Sequence, residues 1–329
     1  SPFEVYVKSL YEYFRGHELT EEEWERKDAK MYHVLDQYQK DGYHNLMKIA
    51  SRYNGAFLCD GVGLGKTYIG LMLIERLILR DNKRVVLIVP KSARKSVWES
   101  KIKKYMPKVL NGFLPFRIIN HTDLNRKPSA DIDWPVVMET IKEQAEIIII
   151  DEGHHFRNRD TNRYGVMYDI AKDKKMFLLT ATPVNNTLFD ILHQIELFSR
   201  RDDRYFSDAP LGIHSLRGRF IKLEKEIQRR VSGETGHEGI TIDADEGQEV
   251  LSMDELFNAI VVQRSRQYVK ESQKKLGGRE ILFPDRHPPT VIDYSLEETY
   301  GKLLNDLKTA FNKTDPLLTL AVYYPLRYY

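Results

Sequence analysis

An α/β fold, a parallel sheet flanked by helices and carrying a mainly helical insertion, is predicted by two regularities of this chain. Short apolar runs rich in β-branched residues alternate with longer segments of helical apolar spacing, the pattern of parallel strands joined by crossover helices. The runs are also apolar almost without interruption, and such strands need cover on both faces of the sheet. They are 56–59 (Ala-Phe-Leu-Cys), Arg84 to Pro90, 116–120 (Phe-Arg-Ile-Ile-Asn), Glu146 to Asp151 and Lys175 to Thr180.

The elements follow in order. Thr20 and Glu23 have capping-box spacing and open a charged helical region that leads into 35–42. After the first strand, Ile69, Leu73 and Leu77 fall at helical spacing over 66–80. Asp133 followed by Pro135 fits a helix start, with the helix running to about Ala145. From about 205 to 290 the rhythm breaks: the chain is charged, with a Gly/Glu/Asp-rich stretch from Ser232 to Gln248, and reads as a mainly helical protrusion. Within it, Ser252 to Glu255 form a second capping box, before a helix expected to end at Gly277-Gly278.

With 329 residues and 42% hydrophobic content the chain can bury a substantial core. Fifty basic against forty-eight acidic residues leave a formal charge of +2, so attraction to nucleic acid has to come from local patches. A single cysteine, Cys59, rules out a disulfide framework within these residues and fits a reducing compartment. No apolar run approaches the ~20 residues that span a bilayer, and the start lacks the layout of a signal peptide. An intracellular protein with no membrane partner is expected, in cytoplasm, nucleoid or nucleus.

Chemistry concentrates in three places. Asp60-Gly61-Val62-Gly63-Leu64-Gly65-Lys66-Thr67 lies between a strand and a helix. Its glycines let backbone N–H groups face phosphate oxygens at a helix N-terminus. Lys66 would reach the β- and γ-phosphates, and the Thr67 hydroxyl would ligate magnesium. An ordinary tight turn before a helix is the competing reading, and Asp60 stands where the usual pattern has glycine. Next, Asp151 and Glu152 end a strand, where α/β sheets hold their ligands. Asp151 suits magnesium, and Glu152 suits the deprotonation of an attacking water. A solvated acidic turn is the alternative. Third, Thr180-Ala181-Thr182-Pro183 sets hydroxyls at the end of the last strand, where threonines also serve as turn formers.

In this order the motifs resemble the N-terminal RecA-like motor lobe of superfamily-two helicases, and in detail the Swi/Snf-like branch of DNA translocases. Asp60 matches that branch's D-x-x-G-L-G-K-T loop. Leu35 to Gly42 is similar to its upstream motif, which implies that Gln39 contacts adenine. Asp151 to Asn158 and Thr180 to Asn186 resemble its second and third motifs, although Ala181 replaces the family's usual glycine. The resemblance, which covers about 35–300, implies ATP and Mg2+ as cofactors. It implies nucleotide binding by Gln39, Asp60, Gly61, Gly63, Gly65, Lys66 and Thr67, catalysis by Lys66, Asp151 and Glu152, and metal binding by Thr67 and Asp151. His154, Thr180 and Thr182 would couple the nucleotide to the track. Lys91, Ser92, His121, Thr122 and Asn186 are candidate DNA-backbone contacts, with solvated loop residues as the competing reading. Arg217, Arg219, Lys222, Arg229 and Arg230 extend a DNA track or simply form a charged helix face. Arg264-Ser265-Arg266 and Leu282-Phe283-Pro284 are similar to the joints leading into a second lobe.

The domain layout expected is a helical extension at 1–34, the first lobe at 35–204, the protrusion at 205–290, and at 291–329 the start of a connection to a second lobe beyond Tyr329. The activity implied is that of an ATP-dependent double-stranded DNA translocase, a DNA-stimulated ATP hydrolase that is inactive or very slow as this piece alone. Its partners would be double-stranded DNA, the second motor lobe and a protein that is moved or displaced. The alternatives are a strand-separating helicase on DNA or RNA, linked to a nuclease in defence or repair, and a non-catalytic nucleotide-binding scaffold.

Overall fold

Gly55–Leu58 (β1), Val85–Val89 (β2), Phe116–Asn120 (β3), Ile147–Asp151 (β4), Lys175–Leu179 (β5) and Val261–Val262 (β6) form one sheet in the order β3-β2-β4-β5-β1-β6, with every pairing parallel. These coordinates are a computed structural model, which describes residues 23–110, 115–129, 131–181, 187–235, 254–266, 268–270, 300–303 and 305–306. The chain divides into two units, Ser1–Ile281 and Leu282–Tyr329. In the second, the described residues are helical.

Before the sheet come Glu23–Lys27 (α1), Lys30–Val34 (α2) and Gln37–Tyr53 (α3). Lys66–Glu75 (α4) follows β1 and continues as a π turn over Arg76–Arg80. After β2, residues 91–105 form one composite helix, α5, in which a π turn at Arg94–Glu99 separates two α segments. Trp134–Gln144 (α6), Asn162–Ile170 (α7), Phe189–Ser199 (α8), Leu216–Thr235 (α9) and Glu255–Ile260 (α10) follow along the chain.

The strands split their side chains between two cores with the period of two that a pleated strand imposes. Phe57, Ile88, Ile148, Ile150 and Leu178 pack into one, with Trp134, Tyr164 and Ile191 from α6, α7 and α8. Leu58, Leu87, Ile149, Phe177 and Leu179 pack into the other, with Tyr43, Ile69, Leu73 and Trp98 from α3, α4 and α5. The near-continuous apolar runs are thus explained by cover on both faces. Helix starts carry local caps as well: Asp133 accepts from Val136 N–H, and Thr161 Oγ1 accepts from Tyr164 N–H at 3.2 Å. Replacing Thr161 by alanine should cost about 1 kcal/mol in urea unfolding.

Two expectations change. Asp254 does cap a helix, but that helix ends at Ile260 rather than near Gly277. The β-branched pair Val261-Val262 leaves the helix to pair with Phe57 and Leu58, and Cys59 N–H donates to the Val262 carbonyl at 2.8 Å. Residues 261–262, placed in the protrusion by the sequence, therefore belong to the sheet. The helix α9 also runs four residues into the stretch read as a loop from Ser232. Thr20, the rest of that loop after Thr235, Ser252, Gly277-Gly278 and Leu282-Phe283-Pro284 lie outside the described residues.

Candidate nucleotide site

Because all six strands are parallel, the motif-bearing segments that follow strands leave the sheet at the same edge. The strand order then fixes their neighbours: the glycine-rich loop follows β1, the acid pair follows β4, and β5 with Thr180 at its end lies between them.

In the loop, Gly63 and Gly65 have φ of 87° and 82°, a region costly for residues bearing a Cβ. A Cβ at Gly65 would also run into the Gln39 amide. That amide donates to the Leu64 carbonyl at 3.1 Å, and Tyr38 Oη donates to the same oxygen at 3.0 Å. Burial pushes the Tyr38 phenol up to about 12, so it remains a donor. Gln39 Oε1 accepts from Asp36 N–H, so the glutamine ties the start of α3 to the loop. Lys66 and Thr67 open α4 and are half-buried, and Lys66 Nζ donates to the Asp60 carbonyl at 2.9 Å. The Asp60 side chain corrects the reading of that residue as a nucleotide contact. It is fully buried, its carboxylate is held by Arg264, and only its carbonyl oxygen meets Lys66.

The acid pair divides its tasks. Asp151 Oδ2 accepts from Trp98 Nε1 at 2.7 Å, and burial holds this carboxyl above the usual range. Glu152 is shifted the other way, first by its hydrogen bond with His154, whose Nδ1 lies 3.1 Å from Oε2. The Lys66 ammonium favours the charged form of both carboxyls. Neighbouring carboxyls pushed apart in this way suit a division of roles, with Glu152 the ready anion. Glu152 also has a φ of 55°, a conformation that a non-glycine residue holds only where its surroundings compel it, typically at functional sites. His154 Nδ1 lies 3.5 Å from the Oγ1 of buried Thr180, which links the acid pair to the end of β5.

The candidate track residues separate. Lys91 and Ser92, just after β2, and Thr122, after β3, are exposed. His121 is not: it is 3% exposed, packs edge-on against His155 and Phe156, and burial pushes its pKa down to about 3. A backbone-contacting role for His121 is therefore withdrawn, since a neutral ring inside the protein does not reach a phosphate. Thr182 and Asn186 lie outside the described residues. On α9, Arg219 spends its charge on the Asp254 carboxylate, at 3.0 and 2.7 Å.

Two residues were not assigned these contacts from the sequence. Trp98 stands alone as a large apolar side chain among the charges of Arg94, Lys95 and Glu99, which is the signal that it faces inward. The partner of Arg264 lies 204 residues away, and no local pattern announces it.

Such a loop, acid pair and hydroxyl, set side by side at the strand ends of a parallel sheet, define a RecA-like P-loop NTPase lobe. Residues 38–201 match the family model described as SNF2-related domain, and the chain belongs to this family. It is 30% identical over 163 residues to the uncharacterized ATP-dependent helicase YqhH of Bacillus subtilis, covering 46% of this chain and 27% of that protein. It is 25% identical over 187 residues to a DNA repair and recombination protein RAD54-like of Drosophila erecta, covering 49% and 24%. The chain thus spans about a quarter of the length of these curated relatives. Among solved structures it is similar to the Sulfolobus solfataricus SWI2/SNF2 ATPase core in complex with dsDNA, with 18% identity, a TM-score of 0.47 and coverage of 70% of this chain and 44% of that one. Among the described residues no helix is long and apolar enough to cross a membrane.

Proposed function

We propose that this chain is the first lobe of a DNA-stimulated ATPase that moves along double-stranded DNA. The observation that carries the reading is the meeting of Lys66, Asp151 and Glu152 at one sheet edge, with Glu152 joined through His154 to Thr180. Exposed Lys91 and Ser92 leave the same edge, one strand over from the acid pair.

In this reading the loop N–H groups of 61–67 bind the phosphates and Lys66 neutralises the terminal one. Glu152, oriented by His154, accepts the proton of the attacking water. The hydroxyl of Thr67 and the carboxylate of Asp151 are hard oxygen donors, a set that fits magnesium with phosphate and water completing the shell. The metal, when bound, supplies charge neutralisation at the phosphates. Trp98 holds the Asp151 carboxylate through Oδ2. A second lobe would supply an arginine to the transferred phosphate. Residues 1–329 alone are therefore expected to bind nucleotide but to turn it over on the order of 10³-fold more slowly than the natural full-length protein, as steady-state ATPase assays of both will read.

ATPase assays with blunt duplex, single strands and RNA test the track, together with displacement of a third strand from a triplex. Stimulation by blunt duplex and triplex displacement without duplex separation are expected. Unwinding of tailed duplexes, or stimulation by RNA alone, would instead establish the strand-separating reading, and nucleotide binding by the natural full-length protein with hydrolysis in none of these assays would establish the scaffold. Replacing Lys91 by alanine should weaken duplex binding alike for all sequences. The slope of log affinity against log salt should fall by about 1 in titrations at several salt concentrations.

A further inference from the structure

We propose that Arg264 is a positioning residue: its buried ion pair with Asp60 ties the phosphate-binding loop to the chain that follows β6, so that the loop's response to nucleotide is passed to that segment. This rests on the nucleotide-binding reading of the loop given above.

The generic phosphate loop has glycine at the position of Asp60, because nothing larger is needed there. Here a carboxylate occupies it, fully buried and next to the cradle. Arg264 Nε donates to Asp60 Oδ1 at 2.9 Å and Nη2 donates to Oδ2, the two-pronged geometry that a guanidinium and a carboxylate hold rigidly. The backbone repeats the connection, since Gly61 N–H donates to the Arg264 carbonyl at 3.3 Å. One residue on from Ser265, Arg266 Nη2 donates to the Val62 carbonyl at 3.2 Å. Three consecutive loop residues, 60 to 62, are thus each held by the same short segment.

The third side of this arrangement is α3. The Arg264 guanidinium lies over the Tyr38 ring, 5.3 Å from its centroid, and Tyr38 in turn donates to Leu64 of the loop. A Cβ at Gly42 would run into the Arg264 guanidinium, so the helix approaches the arginine as closely as a backbone can. The loop, the start of α3 and the segment after β6 therefore share one buried cation, and a displacement of any of them must be met by the others. Two charges removed from water so completely cost more than packed apolar groups would, so stability alone does not account for the pair. A task that requires the loop and this segment to keep one register does.

The test uses the natural full-length protein with Asp60→Gly, Arg264→Met and the double variant. Its readouts are thermal melting and amide hydrogen exchange with and without ADP. Asp60→Gly restores the generic loop sequence, yet it should lower the melting temperature by roughly 10 °C because a guanidinium is left buried without its partner. Adding Arg264→Met should return the melting point to within about 3 °C of the parent, which keeps the question open to measurement even if a single variant fails to fold. In the parent protein ADP should slow exchange at 60–67 and also at 261–266. In the double variant the slowing at 60–67 should persist and that at 261–266 should weaken to what the Gly61–Arg264 backbone bond and the Arg266–Val62 bond carry by themselves. If ADP protects 60–67 but leaves 261–266 unchanged in the parent, or protects 261–266 as strongly in the double variant as in the parent, the link is overturned while the nucleotide reading stands. A wild-type melting point for Asp60→Gly overturns it too. If ADP protects neither segment in the parent, the nucleotide reading falls and takes the link with it.

Discussion

Glu152→Gln in the natural full-length protein should reduce DNA-stimulated ATP turnover by about 10³-fold while nucleotide affinity stays close to that of the parent. The amide fills the same space and can still meet His154, but it cannot accept a proton. Binding is carried by groups the change does not touch, namely the loop backbone and Lys66. Phosphate-release kinetics and titration with a fluorescent nucleotide will separate the two effects, and substantial turnover by this variant would remove Glu152 from the chemistry. Because Glu152 is already held below the ordinary carboxylate range by His154, the parent's activity should be insensitive to pH through the neutral range on account of this group. Loss of activity through Glu152 itself should appear only when its folded-state pKa, lower than that of a free glutamate, is approached, and Asp151, which burial holds above the usual carboxylate range, takes up its proton first on acidification.

The second large effect is expected at Trp98, which is fully buried and donates to Asp151 Oδ2. Trp98→Ala should lose about 3–5 kcal/mol of stability, read by urea unfolding, since it opens a cavity beside α4 and takes a hydrogen-bond donor from a half-buried carboxylate. Trp98→Phe keeps most of the packing and deletes only the N–H. It should cost less stability, yet it should raise the magnesium concentration needed for half-maximal nucleotide binding, because Asp151 is no longer aimed. Equal magnesium dependence in the phenylalanine variant and the parent would reduce Trp98 to a packing residue. The ring's fit is tight on its other side as well: a Cβ at Gly70 would lie 2.7 Å from Trp98 Cη2.

Five of the six strands were legible because each is a continuous apolar run, and a strand covered on both faces has no other way to appear. The sixth was not, since two valines at the end of a capped helix look like the helix itself until their partner strand is known. The loop and the acid pair were legible from residue types whose chemistry is local: glycines that accept positive φ, a lysine, and carboxylates at a strand end. What could not be read was which groups meet across long separations. Trp98 reaches Asp151 across 53 residues, and the Asp60 carboxylate is held by Arg264, which comes from within the stretch read as the protrusion. His121 was misjudged for a related reason. A histidine after a strand looks exposed until Phe156 and His155 are seen packed on it.

The two-residue strand β6 has a practical consequence for anyone trimming this protein. The family match ends at residue 201, and a piece cut there would contain every catalytic candidate named above. It would also uncover the outer edge of β1, whose N–H and C=O groups at Phe57 to Cys59 are matched by Val261 and Val262. An open apolar edge beside a glycine-rich loop invites pairing with another copy and precipitation. The smallest piece worth expressing therefore extends at least through Arg266.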